Sequence, residues 1–168
     1  GKDLKQKYRH YYGSVVGFSG RGEMIPNDDS YCEIDPDTVD RWGIPVLRFH
    51  WKWSDHEIKQ VKHMQDTFEA LIHEMGGTLL WGKAGPEQDY GIAPGGRIIH
   101  ELGATRMGND PTTSVLNSFC QAWDVKNLFV ADGGPFVSQA DKNPTWTILA
   151  LSMRTGDYIA DQMKKGAL

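Results

Sequence analysis

The chain has 168 residues, of which 39% are hydrophobic and 24% charged, and its formal net charge is −4. This length allows one domain with a core of its own, or parts of two, and the apolar content is too high for a disordered chain. The acidic balance gives no reason to expect nucleic acid or an anionic membrane as a partner, and no apolar run is long enough to span a bilayer.

The sequence begins at Gly1 without an initiator Met or a targeting segment, so we expect a processed or truncated chain. Targeting signals would lie upstream, and Cys32 and Cys120 form neither a disulfide framework nor a zinc pattern. The compartment, cytoplasm or bacterial periplasm, therefore stays open. Residues 1–10 are interpreted as a charged segment from inside a longer chain.

Glycine-rich residues 13–24 predict strands with tight bends, followed by turn residues at 26–30. Residues 31–34 predict a short strand that ends in a second turn at 35–37. Residues 46–53 (VLRFHWKW) alternate in character, which predicts a half-buried strand in an antiparallel sheet. One face of this strand carries Val46, Arg48, His50 and Lys52, and the other carries Leu47, Phe49, Trp51 and Trp53.

Ser54 and Glu57 form a capping-box pattern, which predicts that a helix begins at this point. Apolar residues continue at helical spacing to Met75, and Gly76 predicts the end of the helix. Three histidines on or near this helix share no metal-ligand geometry, and we interpret them as solvated or packing residues: His56, His63 and His73.

Residues 81–96 contain too much glycine and proline for a regular element, and a loop of this length is either functional or a surface excursion. Residues 125–131 predict a buried strand that is broken by the turn at 132–135. The last helix is predicted to begin at Asn143 and Pro144, with the Asn as N-cap and the Pro in the first turn, and to run to about Lys165.

Three polar residues in the last third of the chain lie at positions where active-site residues are often found. His100 precedes a glycine turn, Asp132 follows an apolar run, and Asn143 precedes a helix. Taken singly, each has a structural explanation. A lone His is more often structural than catalytic, an Asp after a strand is often a turn residue, and Asn is a good helix cap.

In combination and order, these segments resemble the C-terminal signature of the glucose–methanol–choline (GMC) oxidoreductases, a family of FAD enzymes. The resemblance implies that His100 and Asn143 are catalytic. It also implies that Asp132, Gly133, Pro144 and Thr145 bind the cofactor, FAD. The Asn at position 143 is most similar to the sugar-oxidising, pyranose oxidase-like branch. The run Gly103-Ala104-Thr105 departs from the family, which often has Thr directly after the Gly.

The chemistry of alcohol oxidation explains these residue types. Hydride transfer from a CH–OH group requires removal of the hydroxyl proton, which a neutral imidazole can accept near neutral pH. An uncharged Asn can fix the substrate oxygen by donating and accepting hydrogen bonds. The positive N-terminal end of the last helix would favour negative charge on a reduced flavin.

Gly17, Gly20 and Gly22 run in the reverse order of the Gly-x-Gly-x-x-Gly motif that binds a dinucleotide pyrophosphate. We therefore expect FAD to be held mainly by an N-terminal part of the same protein, and this chain to be inactive alone.

The predicted class is α+β. Residues 1–99 are predicted to be part of a substrate-binding domain, an antiparallel sheet with packed helices, and residues 100–168 to be the C-terminal segment of an α/β FAD-binding domain. The expected partner is a sugar or alcohol substrate; the electron acceptor stays open. The alternative is a stand-alone ligand- or partner-binding domain of the same fold without redox activity.

Overall fold

Helices and a small antiparallel sheet alternate with long irregular segments in the computed structural model, which describes all 168 residues. This confirms the α+β prediction. None of the helices is both long and apolar enough to cross a bilayer. The elements, in chain order, are α1 (Lys2–Tyr11), β1 (Tyr31–Val39), β2 (Pro45–His50), α2 (Asp55–Glu74), a kinked 3-10 segment (Pro86–Gly91) and α3 (Thr145–Lys164). Helix α1 was not predicted, and it buries none of its residues.

Strands β1 and β2 form an antiparallel hairpin in which Ile34 faces Leu47. The turn predicted at 35–37 is wrong, because β1 continues through these residues with a bulge. Asp35 makes this possible: its carboxylate accepts hydrogen bonds from the N–H of Asp37 and of Thr38, both at 2.9 Å, and pairs with Arg48 at 2.9 Å. These bonds, led by that from Asp37, outweigh burial and hold the pKa of Asp35 below its ordinary value.

The apolar face of the hairpin is open. The strand β2 was predicted to be half-buried, but its apolar face is not covered within this chain. The side chains of Ile34, Leu47 and Phe49 are 67%, 56% and 69% exposed. The reason is that no helix of the chain packs against the two strands. A contiguous apolar surface of this kind marks a site where another segment or protein binds.

Helix α2 begins as predicted. The Ser54 hydroxyl accepts the N–H of His56 at 3.2 Å, and the carboxylate of Glu57 accepts the N–H of Ser54 at 2.7 Å, which completes the capping box. The helix ends at Glu74, followed by Gly76 at a φ of +71°. Residues 81–96 remain largely irregular and are attached to α2, where the Gln65 amide donates to the carbonyl of Tyr90 at 2.9 Å.

The strands predicted for residues 13–24 are wrong, since this segment contains no strand. Two of its glycines, Gly20 and Gly22, serve a different purpose, which is close approach to α2. A Cβ atom on Gly20 would lie 2.5 Å from Sδ of Met64, and one on Gly22 would lie 2.5 Å from Oε1 of Gln60. A side chain at either position would therefore require the segment or the contacting ends of Met64 and Gln60 to move.

The small core lies in the last third of the chain. Leu116, Cys120 and Ala122 are buried there, and Met107 and Val130 pack against them. The strand predicted for residues 125–131 is wrong: it is reduced to a single bridge between Gln121 and Phe129, and both Val125 and Leu128 are exposed. Helix α3 is attached to this core, because the buried Thr155 hydroxyl donates to the carbonyl of Phe119 at 3.2 Å.

Candidate active site

The segment after His100 runs alongside the turn after Asp132. Three backbone hydrogen bonds join the two: the N–H groups of Gly103, Thr105 and Met107 donate to the carbonyls of Gly133, Gly134 and Pro135 at 3.1, 3.1 and 3.0 Å. This ladder fixes the register between two segments about thirty residues apart in the sequence. The structure thus brings together the segments of two of the three residues predicted for the site, His100 and Asp132.

Two glycines allow close packing where these segments meet. A Cβ atom on Gly133 would lie 2.1 Å from Cδ2 of Leu102, and one on Gly134 would lie 2.3 Å from Oγ1 of Thr105. Oδ1 of Asp132 accepts the N–H of Gly134 at 2.7 Å, so this carboxylate shapes the turn. Asp132 therefore has a structural role in addition to the cofactor contact that we predicted for it, and the cofactor contact stays a prediction.

His100, Asp132 and Gly133 line one open cavity of about 2680 Å³. His100 is half-buried in its wall. Other parts of the lining come from β2 and the residues after it, including His50, Trp51 and Trp53. An imidazole in this position can reach a ligand in the cavity and exchange a proton with it.

Asn143 is not the N-cap of α3, which corrects the structural explanation of this residue. The helix begins at Thr145; Pro144 occupies the N-cap position with helical dihedral angles, and its carbonyl accepts the N–H of Ile148 at 3.0 Å. No side chain caps the helix. Asn143 is exposed, and its amide is not used for capping.

Asn143, Pro144 and Thr145 do not line the cavity that His100 lines. Asn143 directly follows two residues that do, Asp141 and Lys142. The Lys142 ammonium forms an ion pair with Asp141, and its hydrogen bond holds the pKa of that carboxyl below the ordinary value. The catalytic and cofactor roles of these three residues stay predictions.

Two features of this region fit a flavin. The N–H groups in the first turn of α3 have no side-chain partner, and such donors suit an acceptor oxygen. The hydroxyl of Thr105 is buried without a hydrogen-bond partner beside the Asp132 turn. Unpaired buried polar atoms are rare in a complete structure, so the Thr105 hydroxyl indicates a polar group that binds beside this turn. The first residues of α3 are exposed, and their N–H groups are open to an acceptor.

Sequence reasoning missed Trp51 as a site residue. Its ring lies against Gly95, where a Cβ atom would come 2.4 Å from Cγ of the indole, and packs edge-to-face on Trp53 with 5.3 Å between ring centroids. The missed signal was the pair of glycines at 95–96 shortly before His100, which allows an aromatic ring to approach the backbone.

Comparison with known proteins now adds to this geometry. The family model described as GMC oxidoreductase matches residues 26–152, which is more than half of the chain. The chain belongs to this family. The resemblance seen in the sequence is thereby confirmed.

Several curated relatives match almost the whole chain. It is 32% identical over 160 residues to 2-methyl-1,2-propanediol dehydrogenase of Mycolicibacterium austroafricanum, covering 95% of this chain and 28% of that protein. It is 27% identical to the gluconate 2-dehydrogenase flavoprotein of Pantoea cypripedii (98% and 27%) and 26% identical to pyranose 2-oxidase of Lyophyllum shimeji (90% and 24%). The chain thus spans less than a third of the length of these relatives.

Proposed function

We propose that this chain supplies the catalytic base of an FAD-dependent oxidoreductase that oxidises a CH–OH group of a sugar, polyol or other alcohol. The observation that carries the proposal is the backbone ladder that joins the His100 segment to the Asp132 turn on one cavity wall, in a member of the GMC oxidoreductase family. His100 acts as the base and Asn143 orients the substrate oxygen. Asp132, Gly133, Pro144 and Thr145 belong to the flavin side of the site.

The residues of this chain perform the proton chemistry and the positioning. The neutral imidazole of His100 accepts the hydroxyl proton as the C–H bond breaks. The side-chain amide of Asn143 does not cap α3, and it binds the hydroxyl oxygen of the substrate so that one orientation of the alcohol is selected. The uncapped N-terminus of α3 directs its positive end toward negative charge that develops nearby. Bound FAD would accept the hydride.

A carbohydrate is the substrate class that the cavity lining favours. Trp51 and Trp53 form a fixed aromatic pair in the cavity wall, and His50 beside them is held by a hydrogen bond of 2.8 Å to Glu33. Aromatic faces and polar rims suit the apolar face and the hydroxyl edge of a sugar ring. Relatives are named for gluconate, fructose and pyranose, and another is named for a diol.

The remaining part of the flavin site belongs to an N-terminal part of the same protein. This chain has no Gly-x-Gly-x-x-Gly motif, and two of the three glycines of its reversed version, Gly20 and Gly22, pack on α2. The open apolar face formed by Ile34, Leu47 and Phe49 provides a surface for that part. We therefore expect the isolated chain to retain no FAD and to have no activity.

The experiment is anaerobic mixing of the full-length protein with aldoses, polyols and simple alcohols, with the flavin absorbance as readout. Wild type should lose the absorbance of oxidised flavin with at least one of these substrates. His100→Ala should retain FAD and lower the reduction rate by about a hundredfold or more. His63→Ala, an exposed histidine on α2, is the matched control and should reduce normally. Equal reduction in the His100 and His63 variants would refute the assignment of His100 as the base.

A further inference from the structure

Residues 20–25 form a strap that runs along one side of α2. Phe18, just before the strap, stacks on Phe68 with 5.5 Å between ring centroids, and Gly20 lies against Met64. At the other end, Ile25 reaches Glu57 near the start of the helix. The strap therefore runs antiparallel to α2, and its two glycines let it lie close to the helix side chains.

Two side chains of α2 hold the backbone of the strap. The amide of Gln60 makes both hydrogen bonds that a neighbouring strand would make with Glu23: Oε1 accepts the N–H at 3.2 Å and Nε2 donates to the carbonyl at 2.8 Å. Oε1 of the buried Glu57 accepts the N–H of Ile25 at 2.9 Å. Met24, between these two anchors, is thereby held in an extended conformation with a defined orientation.

Met24 connects the strap to the loop before Asn143. It forms an antiparallel bridge with Gln139, and the side-chain amide of Gln139 donates to the carbonyl of Lys142. Lys142 directly precedes Asn143 in the sequence. A series of contacts thus runs from Gln60 on α2 through Glu23, the Met24–Gln139 bridge and the Gln139 amide to Lys142, the residue before Asn143.

We propose that Gln60 is a positioning residue for Asn143, acting through the strap and the Met24–Gln139 bridge. The inference rests on the proposed function, since it gives the position of Asn143 a use in substrate binding. No side-chain cap fixes the residues before α3, so the order of this loop must come from its other contacts. The bridge from the strap is the contact that supplies it. Glu57 supports the strap one turn earlier on the helix.

Hydrogen exchange of the full-length holoenzyme tests the physical link without reference to activity. Gln60→Ala removes both bonds to Glu23, so amides at 20–26 should exchange about tenfold faster or more, and amides at 138–143 should follow. Gln65→Ala is the matched control, because the same residue type on the same helix holds the carbonyl of Tyr90 instead. It should speed exchange near residues 84–91 and leave 138–143 unchanged. Faster exchange at 20–26 alone would overturn the inference.

Flavin reduction kinetics test the consequence for Asn143. If Gln60 acts through Asn143, Gln60→Ala should lower the reduction rate several-fold in the wild-type background and have no further effect in Asn143→Ala. Lys59→Ala, an exposed neighbour on α2, should change neither rate. Multiplied effects in the double variant would overturn the inference. An exchange link without any loss of reduction in Asn143→Ala would instead refute the role of Asn143 in the proposed function.

A second variant keeps the test decisive if Gln60→Ala does not fold. In Gly22→Ala the added Cβ would lie 2.5 Å from Oε1 of Gln60, so either the strap or the Gln60 amide must move, which disturbs the bonds to Glu23 without substituting a residue of the helix. The expected pattern is the same: faster exchange at 20–26 and at 138–143. Unchanged exchange at 138–143 in this variant would also overturn the inference.

Discussion

Replacing Asn143 by Asp should make the protein slightly more stable and much slower. Asn143 precedes the N-terminus of a helix of 20 residues that no side chain caps. A carboxylate at this point faces the positive end of the helix dipole. The same carboxylate would stand where the proposed reaction builds negative charge on the flavin, and it would oppose that charge.

The expected gain in stability is small, and the expected loss of reduction rate is large. Favourable charge–dipole interaction at a helix terminus contributes about 0.3–1 kcal/mol at low ionic strength. Loss of a preorganised hydrogen-bonding group at a reacting oxygen lowers the rate by about a hundredfold. A true N-cap would behave differently, because Asn143→Ala would then destabilise by about 1 kcal/mol. Without a capping bond we expect Asn143→Ala to stay within about 0.5 kcal/mol of wild type.

Chemical denaturation and stopped-flow flavin reduction of the full-length holoenzyme measure both quantities. Ser54→Ala is the comparison variant for stability, because Ser54 does cap α2 and its loss should cost about 1 kcal/mol. Added salt should remove most of the gain in Asn143→Asp, since salt screens an exposed charge. Near-normal reduction in Asn143→Asp would refute the catalytic role, and destabilisation of Asn143→Ala equal to that of Ser54→Ala would refute the uncapped start of α3.

Three further predictions concern other parts of the chain. Burial acts to raise the pKa of Glu57, but the hydrogen bonds from Ser54 and from the N–H of Ile25 outweigh it, so the pKa lies below its ordinary value of 4.5. The ionised carboxylate therefore stabilises the fold above pH 4.5, and this stabilisation is lost as the pH falls through the folded-state pKa. In acid unfolding, Glu57→Gln should lack this pH-dependent loss of stability. Gly134→Ala should destabilise the full-length protein by about 1–3 kcal/mol in urea titration, because its Cβ would lie 2.3 Å from Oγ1 of Thr105, whereas Gly156→Ala, with no atom near its Cβ, should not. Trp51→Leu should weaken binding of a sugar substrate more than that of a small alcohol, and equal losses for both would exclude the aromatic pair as a sugar contact.

The sequence predicted those elements whose cause is local. The capping box at Ser54 and Glu57 and the apolar repeat after it are complete within a single helix, so α2 was located closely. The alternating character of residues 46–53 likewise located β2. The strands predicted for 13–24 and 125–131 failed because glycine and apolar content do not say what a segment packs against. In the first case it packs on α2, and in the second it is tied to residues 120–122 by scattered backbone bonds.

The candidate site was predicted from the order of its residues, and the structure supplied the physical connections. No pattern of spacing indicates that the segment after His100 pairs with the carbonyls after Asp132, because the pairing joins distant segments. Asn143 was expected to cap α3, since Asn before Pro is a common start; the structure shifts the N-cap to Pro144, whose ring already fixes a helical φ. The strap on α2 could not be inferred from the sequence, because it depends on contacts between its glycines and helix residues about forty positions later.

The open face of the hairpin changes how substitutions in this protein should be interpreted. Only ten of the 168 residues are buried within the chain, while Ile34, Leu47 and Phe49 are exposed. In the proposed full-length enzyme another part of the protein covers this face, and these side chains should then tolerate polar substitution as poorly as interior residues do. Variants at such positions should impair assembly and cofactor retention and leave the proton transfer proposed for His100 intact. Exposure within this segment is therefore a poor guide to which of its positions can vary.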